Sequence, residues 1–395
     1  MRVPPTPLLI LLALCLLSDA YIYRCLKLQF TARIWRIVFT VVTVLLYCLI
    51  GLALMLPRSE CDNSTLLCIM WMLYIFSTVY IAKFIFVIVD IVGQLPRLYG
   101  RRPTKTVGYV ATTCAIVVFL AMWWGALFNR FNIDVKNVDF VSTELPNEFD
   151  GYKIVQISDL HVGTFGSDTT FLSRLVDSIN AQHPDLIVFT GDIVNSRSEE
   201  LKPHTSTLGR LSAPDGVMSI MGNHDYGDYS NWPTLRDKEA NLSYLRQMQA
   251  DMGWKMLNNS TSLIHRGRDS IAIVGVENIG DPPFRVYGSL TKAYPYLSDQ
   301  VFKILLSHNP AHWADSIRNN QAINIALTLS GHTHAMQCEI AGLSPGWLRY
   351  EQWGGMYGDD DESHNLYVNI GAGTVGFPAR IGATPEITVI TLRKR

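Results

Sequence analysis

Five short motifs in this chain carry residues that could do chemistry: Asp159-Leu160-His161, Gly191-Asp192, Gly222-Asn223-His224-Asp225, a single His308, and Gly331-His332-Thr333-His334. Their side chains are carboxylates, imidazoles and one amide, an oxygen and nitrogen set without sulfur. Such donors suit Mn, Fe or Zn and speak against a thiolate cluster. Two closely spaced divalent ions need one shared carboxylate, several further ligands each, and room for water and substrate. The motifs hold that inventory: two aspartates, four histidines and one asparagine, with one further histidine to spare. Taken singly, each has a simpler meaning. An Asp after a strand is often a helix N-cap, as Asp159 or Asp192 could be, and Gly222-Asn223 could be a turn. His308, ahead of Asn309-Pro310, would by itself be read as structural. It is the occurrence of all five in one chain that favours a metal site.

The elements that must position these residues are legible as well. Each motif follows a short β-branched or aliphatic run, so the chemistry falls at the C-terminal ends of strands, where open α/β sheets gather their ligands. Residues 153–158 form a strand that delivers Asp159 and His161, residues 186–189 one that delivers Asp192, and residues 217–221 one that delivers Asn223 and His224. A helix over 171–180, with Leu172, Leu175, Val176 and Ile179 at helical spacing, links the first two, and a second polar helix follows Asp192. This βαβαβ order argues for parallel strands. Later strands at 271–274, 302–306, 325–329, 367–370 and 387–392 have fewer helices between them, which suggests a second, mixed sheet. In the insertion after the third motif, Leu245, Met248 and Met252 recur at helical spacing, a pattern that more often means core packing than a cap over the site. Asp359-Asp360-Asp361-Glu362 reads as a solvated loop. Trp347, Tyr350, Trp353, Met356 and Tyr357 make an aromatic segment open to three readings: an ordinary packed loop, a substrate lid or a membrane-facing surface.

Composition divides the 395 residues in two. The formal net charge of −1 gives no field for nucleic acid, and no basic groove with interleaved aromatics is visible. All ten histidines lie after residue 160, and six of the seven cysteines lie at or before residue 114, leaving Cys338 alone in the later part. That excludes a disulfide-stapled domain there. The 48% of hydrophobic residues is concentrated before residue 130, in apolar stretches at 6–23, 37–56, 66–89 and 106–128, each near the ~20 residues that cross a bilayer. The first stretch, with Met1-Arg2 before it and Ser18-Asp19-Ala20 at its end, also has the look of a cleaved signal peptide. Arg24, Lys27, Arg33 and Arg36 follow the first stretch and Arg97, Arg101, Arg102 and Lys105 the third, whereas the connection between the second and third carries Arg58 against Glu60 and Asp62. The positive-inside rule then favours an uncleaved first span, two cytoplasmic basic connections, and everything after residue 130 on the far side. Cys61 and Cys68 would share the outer loop, either paired or free. Lys83 and Asp90 stand seven residues apart on one helix, with Lys83 expected to snorkel or face the bundle and Asp90 to sit at the interface.

In their order, the motifs resemble the calcineurin-like metallophosphoesterase superfamily and, within it, bacterial membrane-anchored phosphoesterases. The likeness covers residues 150–393, including Gly371-Ala372-Gly373-Thr374 and Pro385-Glu386-Ile387. It implies an N-terminal all-α transmembrane bundle followed by an α/β domain, an αββα sandwich of two mixed sheets. The divisions would be 1–130 for four spans, 131–150 for a linker or first strand, and 151–395 for the phosphoesterase domain. It also implies two divalent ions (Mn, Zn or Fe). Asp159, His161 and His334 would hold the first, Asn223, His308 and His332 the second, and Asp192 would bridge them. His224 would act as general acid or charge stabiliser, with Asp225 orienting its ring, while a hydroxide held by the metals attacks phosphorus. The chain departs from the family where Ala335-Met336-Gln337 stands in place of Gly-Gly-Gln, which makes the pocket floor tighter and more apolar. The expected function is a membrane-anchored phosphoesterase of the inner membrane, facing away from the cytoplasm. It would cleave phosphodiester or pyrophosphate bonds, a lipid-linked or envelope substrate fitting the anchoring. A phosphomonoesterase or nucleotidase, and a non-catalytic ligand-binding membrane sensor, are the alternatives.

Overall fold

The computed structural model describes residues 5–29, 31–57, 62–99, 106–280, 282, 285–359 and 363–395. The chain forms two compact units, one of Met1–Leu127 with Gly376–Ala379 and one of Phe128–Val375 with Arg380–Arg395.

The first unit holds α1 (Pro5–Gln29), α2 (Arg33–Met55), α3 (Asn63–Gln94) and α4 (Thr106–Leu127), all four long and apolar enough to cross a membrane. Asp62 caps α3, its carboxylate accepting the Thr65 N–H at 3.0 Å. Apolar side chains such as Leu45, Ile88 and Leu120 point outward, as helices solvated by lipid require. Polar groups turn inward. Lys83 Nζ lies 2.6 Å from Asp19, which also accepts the Tyr47 and Tyr80 hydroxyls at 2.8 Å. Asp90 accepts from the Tyr21 hydroxyl and from Gln94 Nε2, each at 2.6 Å. Lys83 thus faces the bundle, as expected. Asp90, four residues before the end of α3, is buried, with Tyr21 and Gln94 supplying its donors. The expected choice for Cys61 lies outside the described residues.

The second unit is built from two six-stranded mixed sheets. In chain order its elements are β1 (Asp134–Ser142), β2 (Lys153–Ile157), α5 (Thr170–Asn180), β3 (Leu186–Phe189), α6 (Thr205–Leu208), β4 (Val217–Ser219), α7 (Leu235–Asp251), β5 (Trp254–Met256), β6 (Ser260–Arg266), β7 (Asp269–Gly275), α8 (Leu290–Ala293), β8 (Phe302–Leu306), α9 (Ala311–Ser316), β9 (Leu327–Ser330), β10 (Gly355–Gly358), β11 (Asn365–Val368) and β12 (Glu386–Lys394). The first sheet runs β1-β12-β2-β3-β4-β5 and is parallel from β2 to β5. The second runs β10-β11-β9-β8-β7-β6, with antiparallel strands at both edges.

Alternation along the strands makes the layers. Ile154, Val188 and Ile390 of the first sheet pack with Ile273, Ile304 and Leu329 of the second in one core. Their neighbours Val155, Ile187 and Val389 pack outward against Leu172, Leu175 and Val176 of α5 and Leu245 and Met248 of α7. On the other side Val274, Leu305 and Val368 meet Trp313 of α9. The result is the expected αββα sandwich. Met248 and Leu245 are core residues, the commoner meaning of their spacing. The second polar helix is a correction. The segment after Asp192 forms two 3-10 turns and the four-residue α6, because the Glu200 carboxylate folds back to accept the N–H groups of Asn195, Ser196 and Arg197. Of the acidic run, Asp359 is described and accepts the His364 N–H at 3.0 Å; the rest lies outside the described residues.

Candidate metal centre

All five motifs meet at one end of the two sheets. β2 delivers Asp159 and His161, β3 Asp192, β4 Asn223 and His224, β8 His308, and β9 His332 and His334. These strands are central in their sheets, where the ladder leaves least play in strand position.

The connections after the strands turn abruptly. Asp159 (φ 53°), His161 (42°), Asp192 (61°), His332 (74°) and His334 (52°) all lie in the left-handed region. Each such residue costs on the order of 1 kcal/mol and persists only where its surroundings dictate it. The clustering of these residues at one point marks the site independently of residue type. Two motif glycines show how tightly the loops approach. A Cβ on Gly331 would overlap the Asp159 carboxylate, and one on Gly222 would overlap Asp192.

Two side-chain groups result. Asp159, His161 and His334 bring ligand atoms within 4.8 Å of one another, and so do Asp192, His308 and His332. His161 Nε2 faces His334 Nε2 at 3.1 Å, and His334 Nε2 lies 3.2 Å from Asp159 Oδ1. Asp192 Oδ2 lies 3.1 Å from His308 Nε2 and 3.7 Å from His161 Nε2, so it touches both groups. Asn223 Oδ1 stands 3.1 Å from His308 Nε2. Burial lowers the pKa values of His161 and His334, and burial together with the charge on His308 pushes His332 down to about 3. Burial opposes a proton on His308 too, but the Asp192 carboxylate outweighs it and pushes His308 up to about 9. Buried imidazole nitrogens, carboxylate oxygens and an amide oxygen therefore converge at separations of 3.1–3.7 Å, a donor set that divalent cations would satisfy. The residues present fit such ions.

The surrounding residues correct one expectation. Asp225 does not orient the His224 ring. Its carboxylate accepts the N–H groups of Asp192, Gly222 and Ile193 at 2.9 Å and of Val194 at 3.2 Å, lacing the loop after β3 to the loop after β4. Burial and the charge of Asp192 push it up to about 7, and the backbone donors oppose that shift. The ring of His224 is held instead by the Asn195 carbonyl, which accepts from Nδ1 at 2.7 Å. This directs Nε2 away from the backbone, and the ring stands edge-on to His161 with centroids 4.8 Å apart.

Of four further residues here, Asn195, Tyr229 and Arg380 carry no motif in the sequence, and Tyr350 stands there only as part of the aromatic segment. Tyr229 accepts from Asn223 Nδ2 at 2.8 Å, which turns the amide oxygen toward His308. Tyr350 sets its ring against His332 at 5.6 Å. Arg380 is fully buried, donating to the carbonyls of Gly373, Ile370 and Ala383 and, at 3.2 Å, to His334 Nδ1. The Gly373 and Pro385-Glu386 stretches flanking Arg380 were part of the family likeness, and a lone Arg between them was the available signal.

The comparisons agree with this geometry. A family model described as calcineurin-like phosphoesterase matches residues 152–336, and one described as probable calcineurin-like phosphoesterase, transmembrane domain, matches residues 3–130. An uncharacterized metallophosphoesterase of Bacillus subtilis, YkuE, is 33% identical over 64% of this chain and 82% of its own length. An uncharacterized metallophosphoesterase of Campylobacter jejuni is 26% identical over 95% of both chains. The UDP-2,3-diacylglucosamine pyrophosphatase LpxG of Chlamydia trachomatis is 26% identical over 68% of this chain and 92% of its own. With four helices long and apolar enough to cross a membrane, a two-sheet sandwich and its strand-end cluster of Asp, His and Asn, this chain belongs to the calcineurin-like phosphoesterases, as a membrane-integral, metal-dependent phosphoester hydrolase.

Proposed function

We propose that the enzyme uses two divalent ions (Mn, Zn or Fe) to cleave phosphodiester or pyrophosphate bonds of a lipid-linked envelope substrate, on the non-cytoplasmic face of a bacterial inner membrane. The observation that carries the two-ion reading is Asp192, whose one carboxylate oxygen faces both histidine groups. Asp159, His161 and His334 would hold one ion, Asn223, His308 and His332 the other, with Asp192 shared. Bound there, the ions would supply Lewis-acid neutralisation of charge at phosphorus and make water a stronger nucleophile near neutral pH.

The remaining work falls to this chain's own side chains. Tyr229 fixes the Asn223 amide so that its oxygen, the better ligand atom, faces the centre. Asp225 holds the loops after β3 and β4 together and so sets the spacing of Asp192 and Asn223. His224, oriented by the Asn195 carbonyl, presents Nε2 as the group that donates a proton to the leaving oxygen. The lipid-linked substrate is supported by the four spans and by the likeness to the Chlamydia trachomatis pyrophosphatase. The outward placement rests on the basic residues Arg24, Lys27, Arg33 and Arg36 after the first span.

The test uses the full chain in detergent with Mn²⁺, Zn²⁺ or Fe²⁺ supplied, given bis-(4-nitrophenyl) phosphate, 4-nitrophenyl phosphate, and a nucleoside diphosphate carrying a lipid on its terminal phosphate. The proposal expects the lipid-borne pyrophosphate to be cleaved best, the aryl diester measurably, and the monoester least. Preference for the monoester would replace it with a phosphomonoesterase. A reporter fused after Arg395 checks the side of the membrane; activity confined to the cytoplasm would invert the topology.

A further inference from the structure

The segment that carries His332 and His334 continues into an apolar tip that the chemistry above does not use. Ile340 and Leu343 close a two-residue turn, each donating its N–H to the other's carbonyl, at 2.8 and 3.1 Å. Ala341 and Gly342 between them have φ of 52° and 79°, the mark of a tight hairpin. Such tips are usually polar. Here Ile340 is 69% exposed and Leu343 72%, followed on the next 3-10 turn by Trp347 at 62% and Leu348 at 71%. The exposure is built in. Ser344, buried between the two turns, donates to the Ala335 carbonyl and accepts from the Gly346 N–H at 2.9 Å. The Glu339 N–H is tied to the Ile381 carbonyl at 2.8 Å.

The tip is also rooted in the metal centre. Thr333, between the two histidines, donates to the Trp353 carbonyl at 2.6 Å, closing the segment into a loop. From residue 340 to 350 there is no acidic side chain, and the one charge is Arg349. Elsewhere in this unit, large exposed apolar residues such as Val141, Leu235 and Leu263 stand apart along the chain, as is normal for a soluble surface.

We propose that the 340–348 tip inserts into the interface of the bilayer to which the chain is anchored. Leucine and isoleucine suit the acyl boundary, while tryptophan and arginine suit the headgroup level. Burying four such side chains is favourable in proportion to the apolar area removed from water. An isolated protein would gain only weak, reversible binding from a contact this small. Four spans keep a bilayer permanently within reach, so the same contact becomes intramolecular and strong. Insertion would hold the His332–His334 segment at the lipid–water boundary, where phosphates of lipids lie. The insertion itself does not depend on which phosphoester is cleaved.

The experiment uses the full chain with its native cysteines replaced, bearing a nitroxide at Leu348→Cys, in vesicles of phosphatidylethanolamine and phosphatidylglycerol. The control is a nitroxide at Arg236→Cys, on the exposed face of α7. Insertion predicts a ratio of oxygen to nickel-chelate accessibility at 348 on the order of tenfold above that at 236. A second readout keeps every native cysteine: brominated lipids should quench a larger share of fluorescence in the unaltered chain than in Trp347→Phe. Equal accessibility at 348 and 236, with no difference in quenching, would overturn the proposal. So would exclusion of both relaxants at 348 together with cross-linked dimers, which would assign the tip to a second copy of the chain.

Discussion

Two of the polar clusters buried among the described residues are built on opposite plans. In the membrane unit, Asp19 accepts from Tyr47, Tyr80 and Lys83, so each carboxylate oxygen meets a donor and the charge has a counter-charge. In the phosphoesterase unit, His161 faces His334 and Asp192 faces His308 and His161, so that candidate ligand atoms crowd one another around a common point. The first cluster is complete within the protein. The second, on the function proposed above, is completed by cations. Donor–acceptor balance, rather than burial or charge count, is what separates a structural polar core from a metal centre, because an unmatched buried lone pair is costly and is kept only where a ligand repays it.

The comparison can be broken most severely at Asp192. Asp192→Ala removes the carboxylate that touches both groups, and turnover should fall on the order of 10³-fold or more, equivalent to about 4 kcal/mol of barrier. Metal analysis should show fewer than two ions per chain; unchanged stoichiometry and rate would remove the bridging role. In the other cluster, Lys83→Met leaves Asp19 buried without its counter-charge, at a cost of about 3–5 kcal/mol. The double change Asp19→Asn with Lys83→Met should recover much of that, as read by thermal unfolding in detergent. No recovery would mean that the cluster is not self-neutralising. His224→Ala should keep both metals and lose about 10²–10⁴-fold in rate, so lost metal would reassign it as a ligand. The smallest effect belongs to Tyr229→Phe, which frees the Asn223 amide to rotate. Metal affinity should weaken by about 10–100-fold, as for other groups that orient ligands, measured by competition with a chelating dye. An unaltered affinity would show that the tyrosine hydroxyl does not set the amide.

Much of this was readable in the chain. The strand runs before Asp159, Asp192 and His308 were visible because buried strands are continuous in β-branched and aliphatic residues, and the four spans because lipid demands long apolar runs. What escaped was contributed by packing. β5 has three residues, β6 runs Ser-Thr-Ser-Leu-Ile-His-Arg with only two adjacent apolar positions, and β10 is bounded by glycines, so none carries a strand signature of its own. The expected helix after Asp192 was displaced by Glu200, whose carboxylate found backbone donors nearer than any helix could offer. At the site, the motif residues converge as their order suggested. Asp225 was misread because its four backbone donors come from loops whose meeting is a tertiary fact. Asn195, Tyr229 and Arg380 act through hydrogen bonds to residues 29, 6 and 46 positions away, and no local pattern records such pairings.

The most direct test of a cation-completed centre is metal content measured with turnover on the same full-length preparation. The chain is stripped with chelator, then titrated with Mn²⁺, Zn²⁺ or Fe²⁺ while hydrolysis of bis-(4-nitrophenyl) phosphate is followed. Two ions per chain, with turnover absent from the stripped protein and restored as the second ion binds, is the predicted result. Well-folded protein that binds no ion, or that hydrolyses the ester equally when stripped, would contradict it.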